Sequence, residues 1–130
     1  MKIFDATEKK FWGEKVNFLD RNNVLLGYNM DQDCCENADW YLANEPDAKS
    51  GHQLREGLDD YVFDVEYFKD TSDTANQDDC GLDDGGAVEF KLTADGEPDL
   101  YLTIFNSHNG YYGHGFKWTK DDVVIKENYL

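Results

Sequence analysis

The chain has 130 residues, 40% of them apolar, with eight Phe, eight Tyr and three Trp. That length suits a single domain over 1–130, and the aromatic content excludes a disordered acidic tail. Against 12 basic residues stand 28 acidic ones, a net charge of −16, whose field repels nucleic acid and anionic membrane and attracts basic protein surfaces or cations.

The charge is concentrated. Asp31 to Asp47 holds six acids and no base, Asp59 to Asp84 holds ten acids and only Lys69, and together the two stretches carry −15 of the −16. No segment reaches the roughly 18 apolar residues of a membrane span, and the first ten residues lack the apolar run of a secretory signal, so the expectation is a cytoplasmic protein. Three cysteines, with Cys34 and Cys35 adjacent and Cys80 alone, form a poor disulfide framework and fit reduced thiols.

In chain order, Lys15 to Asp20 and Val24 to Tyr28 flank the polar Arg21-Asn22-Asn23 and predict a hairpin. Asp33-Cys34-Cys35-Glu36 has the pattern of a capping box, and Cys35, Ala38 and Leu42 follow at helical spacing, which predicts a short helix over 34–42. Asn44 to Gly57 reads as loop. Tyr61 to Phe68 predicts a strand with Tyr61, Phe63, Val65 and Tyr67 on one face. Asp70 to Gly86 has almost no apolar content and predicts an exposed acidic loop. Val88, Phe90 and Leu92 alternate with polar residues, turn through Asp95 to Pro98, and pair with Leu100 to Phe105. A second turn at Asn109-Gly110 leads through Tyr111 to Trp118, and Val123 to Ile125 offers a last strand. The expected class is α+β: mainly antiparallel β, a meander or small sandwich-like sheet, with the one short helix. Strand parity puts Leu100, Leu102 and Ile104 on one side and Tyr101, Phe105, Phe116 and Trp118 on the other, so this hairpin should be central and covered on both faces, by the helix on one.

The segment Asn106 to Phe116 is rich in His, Asn, Tyr and Gly and is a candidate ligand surface through His108, Asn109, Tyr111, Tyr112 and His114. Parity sets His114 beside Phe105 or Thr103 and His108 on the Leu102 face, so the two histidines point apart and fail as a shared metal site. Cys34, Cys35 and Cys80 lack zinc spacing, and no signature makes one of them a nucleophile with His52, His108 or His114. Asp78 to Gly85 has the carboxylates of a calcium loop without its frame. The expectation is therefore a protein without enzymatic activity, cofactor or dedicated metal.

At Asp33-Cys34-Cys35-Glu36-Asn37-Ala38-Asp39-Trp40 and at Phe105-Asn106-Ser107-His108-Asn109-Gly110-Tyr111-Tyr112-Gly113-His114-Gly115-Phe116 the chain resembles a family of small bacterial and phage proteins of unknown function, over residues 15 to 118. The resemblance implies a shared fold and a bacterial or mobile-element origin, and carries no catalytic residue across. In composition alone the chain also resembles acidic phage inhibitors of the anti-CRISPR and anti-restriction type, which present carboxylates in place of DNA phosphates.

The leading functional expectation is an inhibitor of a basic, nucleic-acid-binding bacterial protein such as an effector or nuclease. Its partner face is Asp59, Asp60, Asp64, Glu66, Asp70, Asp73, Asp78, Asp79, Asp83 and Asp84. Alternatives are an immunity protein for a basic toxin and a metal- or ligand-binding module on the His108 to His114 hairpin. Composition leaves the oligomeric state open.

Overall fold

The computed structural model describes residues 1–8, 13–30, 37–72, 84–108 and 114–130. Nine strands cover them: β1 (Lys2–Glu8), β2 (Gly13–Leu19), β3 (Val24–Asn29), β4 (Asn37–Ala43), β5 (Val62–Asp70), β6 (Asp84–Thr93), β7 (Leu100–His108), β8 (Gly115–Lys120) and β9 (Val123–Tyr129). They form two antiparallel sheets, ordered β1-β2-β3-β8-β9 and β4-β7-β6-β5. In the second sheet β5, β6 and β7 are successive neighbours and β4 lies beside β7, joined to β5 by a long crossover over 44–61; this is a Greek key.

The α+β expectation is corrected to an all-β sandwich, because the described residues contain no helix of the kind expected. Residues 37–43 form β4, paired with β7 from Asn37↔Ser107 to Ala43↔Tyr101. The misreading has a plain cause. Ala38 and Leu42 are four apart, a spacing that fits one helical face and one face of a strand equally well. Trp40 decides, since Ala38, Trp40 and Leu42 are all buried, which only a two-residue period allows. The capping-box residues 33–36 lie outside the described residues.

The hairpins expected at β2–β3 and β6–β7 and the strand at 123–125 are present. The meander through residues 105–118 is not: β7 belongs to one sheet and β8 to the other, where β8 pairs with β3 and β9. Leu100, Leu102 and Ile104 do face the core. Phe116 and Trp118, however, face the same core from the opposite sheet, while Tyr101 and Phe105 lie on the outer face with Tyr67 and Tyr41 against them. Strand β7 is central, flanked by β4 and β6, and part of its outer side is covered by the crossover rather than by a helix.

Aromatic rings fill the space between the sheets. Phe90 meets Trp118 at 5.0 Å and Phe116 at 6.3 Å, Phe63 meets Trp118 at 5.8 Å, and Phe18 meets Trp40 at 5.1 Å, mostly edge to face. Phe68 also packs on Phe90, Phe116 and Trp118. Phe63 and Phe68 are five apart, so both can face inward only if the strand slips. It does. Between Phe63↔Leu92 and Phe68↔Phe90, residues 64–67 stand against Lys91 alone. The bulge overturns the expected face of Tyr61, Phe63, Val65 and Tyr67 by turning Tyr67 outward.

The buried Asp20 ties the sheets at one end: Oδ1 accepts the N–H of Asn22 and of Val24 at 2.9 Å each, and Oδ2 accepts that of Phe63 at 2.8 Å. The edge of β4 is closed by His52, which exchanges both backbone hydrogen bonds with Leu42 at 2.8 Å. Gly51 makes that approach possible, because an added Cβ would overlap the Leu42 carbonyl.

Tyr28, at the end of β3 away from Asp20, also links the sheets, its hydroxyl donating to the Phe105 carbonyl at 2.7 Å. Burial, with the Asp39 carboxylate adding, pushes the phenol far above its ordinary 10.0. The unfolded chain therefore ionises first. This contribution to stability is complete below about pH 10 and declines as the pH rises above it. Tyr28→Phe should cost about 1 kcal/mol at neutral pH and make the alkaline decline shallower in urea denaturation between about pH 7 and pH 11; an unchanged alkaline slope would assign the decline to other groups.

Candidate functional site

Strand β5 is an edge of its sheet, and the described acids of the expected partner face follow it from one end to the other. Asp59 and Asp60 are exposed in the turn that leads into it. Asp64 and Glu66 sit on the bulge, where Asp64 Oδ1 accepts the Glu66 N–H at 3.1 Å and closes a local turn. Asp70, exposed at the strand's end, accepts the Ser72 N–H at 2.9 Å. The ion pairs found among the described residues are Arg55–Asp5, Lys69–Asp47 and Lys91–Asp99, so none of these five acids is in an ion pair with a described side chain, although Asp59 lies close enough to the Met1 ammonium for its charge to act on it.

The acidic loop expected over 70–86 is shorter than its composition implied. Asp70 ends β5, and Asp84 begins β6 in register with His108. Asp73, Asp78, Asp79 and Asp83 lie outside the described residues, as do Asn109, Tyr111, Tyr112, Cys34, Cys35 and Cys80. Among the described residues no group of three or more His, Cys, Asp and Glu is arranged to hold a metal ion.

His114 is not beside Phe105 or Thr103, which pair with β4 and β6. It exchanges backbone hydrogen bonds with Leu130 at 3.0 and 2.8 Å, and its buried ring places Nδ1 2.7 Å from the Asn29 carbonyl. A carbonyl only accepts, so Nδ1 carries the proton. The ring secures the start of β8 against the end of β3.

The sequence pattern missed a second acidic cluster. Glu89 alternates with Val88 and Phe90 and reads as solvent-facing, yet it is 0% exposed. The crossover lies over it: Oε1 accepts the Asp47 N–H at 2.8 Å and Oε2 accepts the Tyr67 hydroxyl at 2.6 Å. Asp47 holds a left-handed backbone, φ 57, which Asp tolerates better than most residues, and its Oδ2 receives Lys69 Nζ at 2.6 Å. Burial, followed by the hydrogen bond to Glu89 and its charge, drives the Tyr67 phenol well above its ordinary value. The bond to Asp47 raises the Lys69 ammonium. The only sequence signal for this arrangement is the pairing of Tyr67 and Lys69 at alternate positions, and the bulge that turns them toward Glu89 has no signature. Chemically the cluster is a clasp: Glu89 is held by the Asp47 N–H and the Tyr67 hydroxyl, and Lys69 pairs with Asp47 Oδ2, while Asp47 Oδ1 is buried without a hydrogen bond to a described residue.

These features define an antiparallel β-sandwich whose Greek-key sheet carries an acidic edge strand. The chain belongs to the DUF7448 family, a domain of unknown function, whose model matches residues 2–118 and so ends within β8. No curated protein and no solved structure is significantly similar to it. No described helix is long and apolar enough to cross a membrane.

If the clasp holds the crossover on the sheet, Glu89→Leu should destabilise the protein by about 3 kcal/mol, because it leaves the Asp47 N–H and the Tyr67 hydroxyl buried without their acceptor. Glu89→Gln, which retains an acceptor for the amide, should cost less. Urea denaturation gives the magnitude and hydrogen exchange at the Asp47 amide gives the location; wild-type stability in the Leu variant would mean that the clasp contributes nothing net.

Proposed function

We propose that this protein is an inhibitor that occupies a basic, nucleic-acid-binding surface of a bacterial protein, such as a CRISPR effector or another defence nuclease, through the edge of β5. The observation that carries the reading is the run of exposed or half-exposed acids along one edge strand and the turn before it, Asp59 and Asp60 in the turn and Asp64, Glu66 and Asp70 on the strand, with no described side-chain cation in an ion pair with any of them. Side-chain carboxylates on an extended backbone are short, closely spaced anions, as phosphates are on a nucleic-acid strand. With Lys69 as the one base among the 26 residues from Asp59 to Asp84, the net charge there is −9. A basic groove that binds phosphates would gain the same release of counterions from this edge. Lys69 does not dilute the line at its own position, because Asp47 holds it on the outer face of the sheet.

The experiment is a pull-down from bacterial lysate at low salt, followed by affinity measurements on the purified partner. The comparison is between wild type and the fourfold variant Asp60→Asn, Asp64→Asn, Glu66→Gln, Asp70→Asn. Asn at 64 can still accept the Glu66 N–H, so the bulge is kept. Each exposed charge contributes only about 0–1 kcal/mol, so single variants should bind almost normally. The fourfold variant should lose about 2 kcal/mol, roughly thirtyfold in affinity, with a flatter dependence on salt. A partner without a basic surface, or equal affinity and salt slope for the two proteins, would rule out charge mimicry at this edge.

A further inference from the structure

Strand β9 is an edge of the first sheet, and every one of its residues is exposed. Val123 is 69% exposed and Tyr129 74%, Val124 and Ile125 are open to solvent as well, and the charges of Lys126 and Glu127 cancel. The strand is thus an apolar, neutral strip on a chain of net charge −16. Two other sheet edges are closed to an added strand, β4 by His52 and β5 by its bulge.

The ladder defines what the backbone of β9 has to offer. Leu130 exchanges both of its hydrogen bonds with His114, and in an antiparallel pair alternate residues turn toward the neighbouring strand. Asn128 and Lys126, opposite Phe116 and Trp118, therefore turn to β8 as well. Glu127 and Tyr129 turn their N–H and C=O groups the other way, to the side where the sheet ends. The Tyr129 N–H accordingly takes a local acceptor, Asn128 Oδ1 at 2.9 Å. The register slips at Ile125 and is regular from Lys126 onward.

Acids flank this edge on both faces. Glu127 lies opposite Lys117 on the outer face and enters no ion pair with a described residue. On the inner face Lys126 lies opposite the buried Trp118, and its Nζ is 5.0 Å from the centre of the Phe68 ring, which sets β9 beside β5. Asp70 shares the face of Phe68, since the two pair with the buried Val88 and Phe90, and so it points toward the first sheet. It stands near the end of β9. A Cβ added at Gly86 would meet both Leu130 Cδ2, at 3.2 Å, and Ser72 Oγ, at 3.3 Å, and the Ser72 N–H is the one that Asp70 accepts.

We propose that β9 takes up an extended basic segment of the partner as a sixth strand of the first sheet, a segment with adjacent Lys or Arg residues between apolar ones. Neighbouring residues of an added strand point to opposite faces, so one cation would meet Glu127 and the next Asp70. The apolar residues would lie beside Tyr129 and Val124, and main-chain bonds to Glu127 and Tyr129 would hold the register. The inference rests on the inhibitor reading for the basic character of the partner, and adds a backbone contact to the side-chain contacts of β5.

The probe is a capped octapeptide of two Val-Val-Lys-Lys repeats, titrated into the intact protein and followed by amide NMR shifts and hydrogen exchange. Saturable shifts should centre on β9, and the Glu127 and Tyr129 amides should exchange at least about tenfold more slowly at saturation. The fully N-methylated peptide keeps the charge and loses the ladder, and should bind about tenfold more weakly; a Val-Val-Glu-Glu counterpart should not bind. The exposed substitution Glu127→Lys should leave the fold intact and weaken the lysine peptide about tenfold. Because the titration needs no natural partner, its outcome is separate from the pull-down: recovery of no basic partner removes the inhibitor reading alone. Unprotected Glu127 and Tyr129 amides, or equal binding of the N-methylated peptide, would overturn the docking of a strand on β9. Protection of those amides that grows with protein concentration in the absence of peptide would assign the edge to a second copy and overturn it as well.

Discussion

The aromatic layer between the sheets governs the arrangement of β5. Phe63 and Phe68 both reach the rings of Phe90 and Trp118, and an unbroken strand would send one of them to the opposite face. Burying both rings is worth several kcal/mol of transferred apolar surface, more than the few backbone hydrogen bonds that a bulge forfeits. The chain therefore slips at residues 64–67, and two consequences follow. Tyr67 and Lys69 turn to the outer face, where they complete the clasp around Glu89 and Asp47. Asp64 and Glu66 are displaced onto the edge with the other acids of β5.

That ordering separates charge held for structure from charge held in reserve. Asp20 and Glu89 are buried and satisfied, one by three backbone N–H groups and the other by an amide and a phenol. They act as polar fasteners, joining the two sheets in the first case and the crossover to its sheet in the second. The acids of β5 make only local contacts, and the loss of any one would be absorbed by solvent. A chain with a net charge of −16 pays for self-repulsion wherever its carboxylates crowd. The aromatic core makes that crowding tolerable along an edge that faces water.

The regular hairpins were legible because their residues alternate and their turns carry Asn, Asp or Gly. β2–β3 and β6–β7 are of this kind. β4 was not, since Ala38 and Leu42 satisfy both periods and the near-helical capping pattern tipped the reading toward helix; Trp40 carried the contrary signal. The parity of β5 and the sheet change between β7 and β8 depend on which rings meet across the core, and local pattern carries no such information. For the site, the concentration of acids between Asp59 and Asp84 was plain from composition, and the structure adds that Asp64, Glu66 and Asp70 lie on an edge strand, with Asp59 and Asp60 in the turn before it. The role of Glu89 escaped notice because its partners Asp47 and Tyr67 come from segments far apart in sequence.

The bulge also determines how β5 can be approached. A regular edge presents an even row of amides and carbonyls onto which a foreign strand can be stitched. Here the ladder to β6 slips over four residues, which bends the strand, and the carboxylates at the bulge would repel their counterparts on a second copy. Backbone templating is thereby hindered, and what this edge presents to solvent is side-chain charge. An edge of that kind is a poor template for a second copy of the chain, and so it works against end-to-end growth into fibres through this strand.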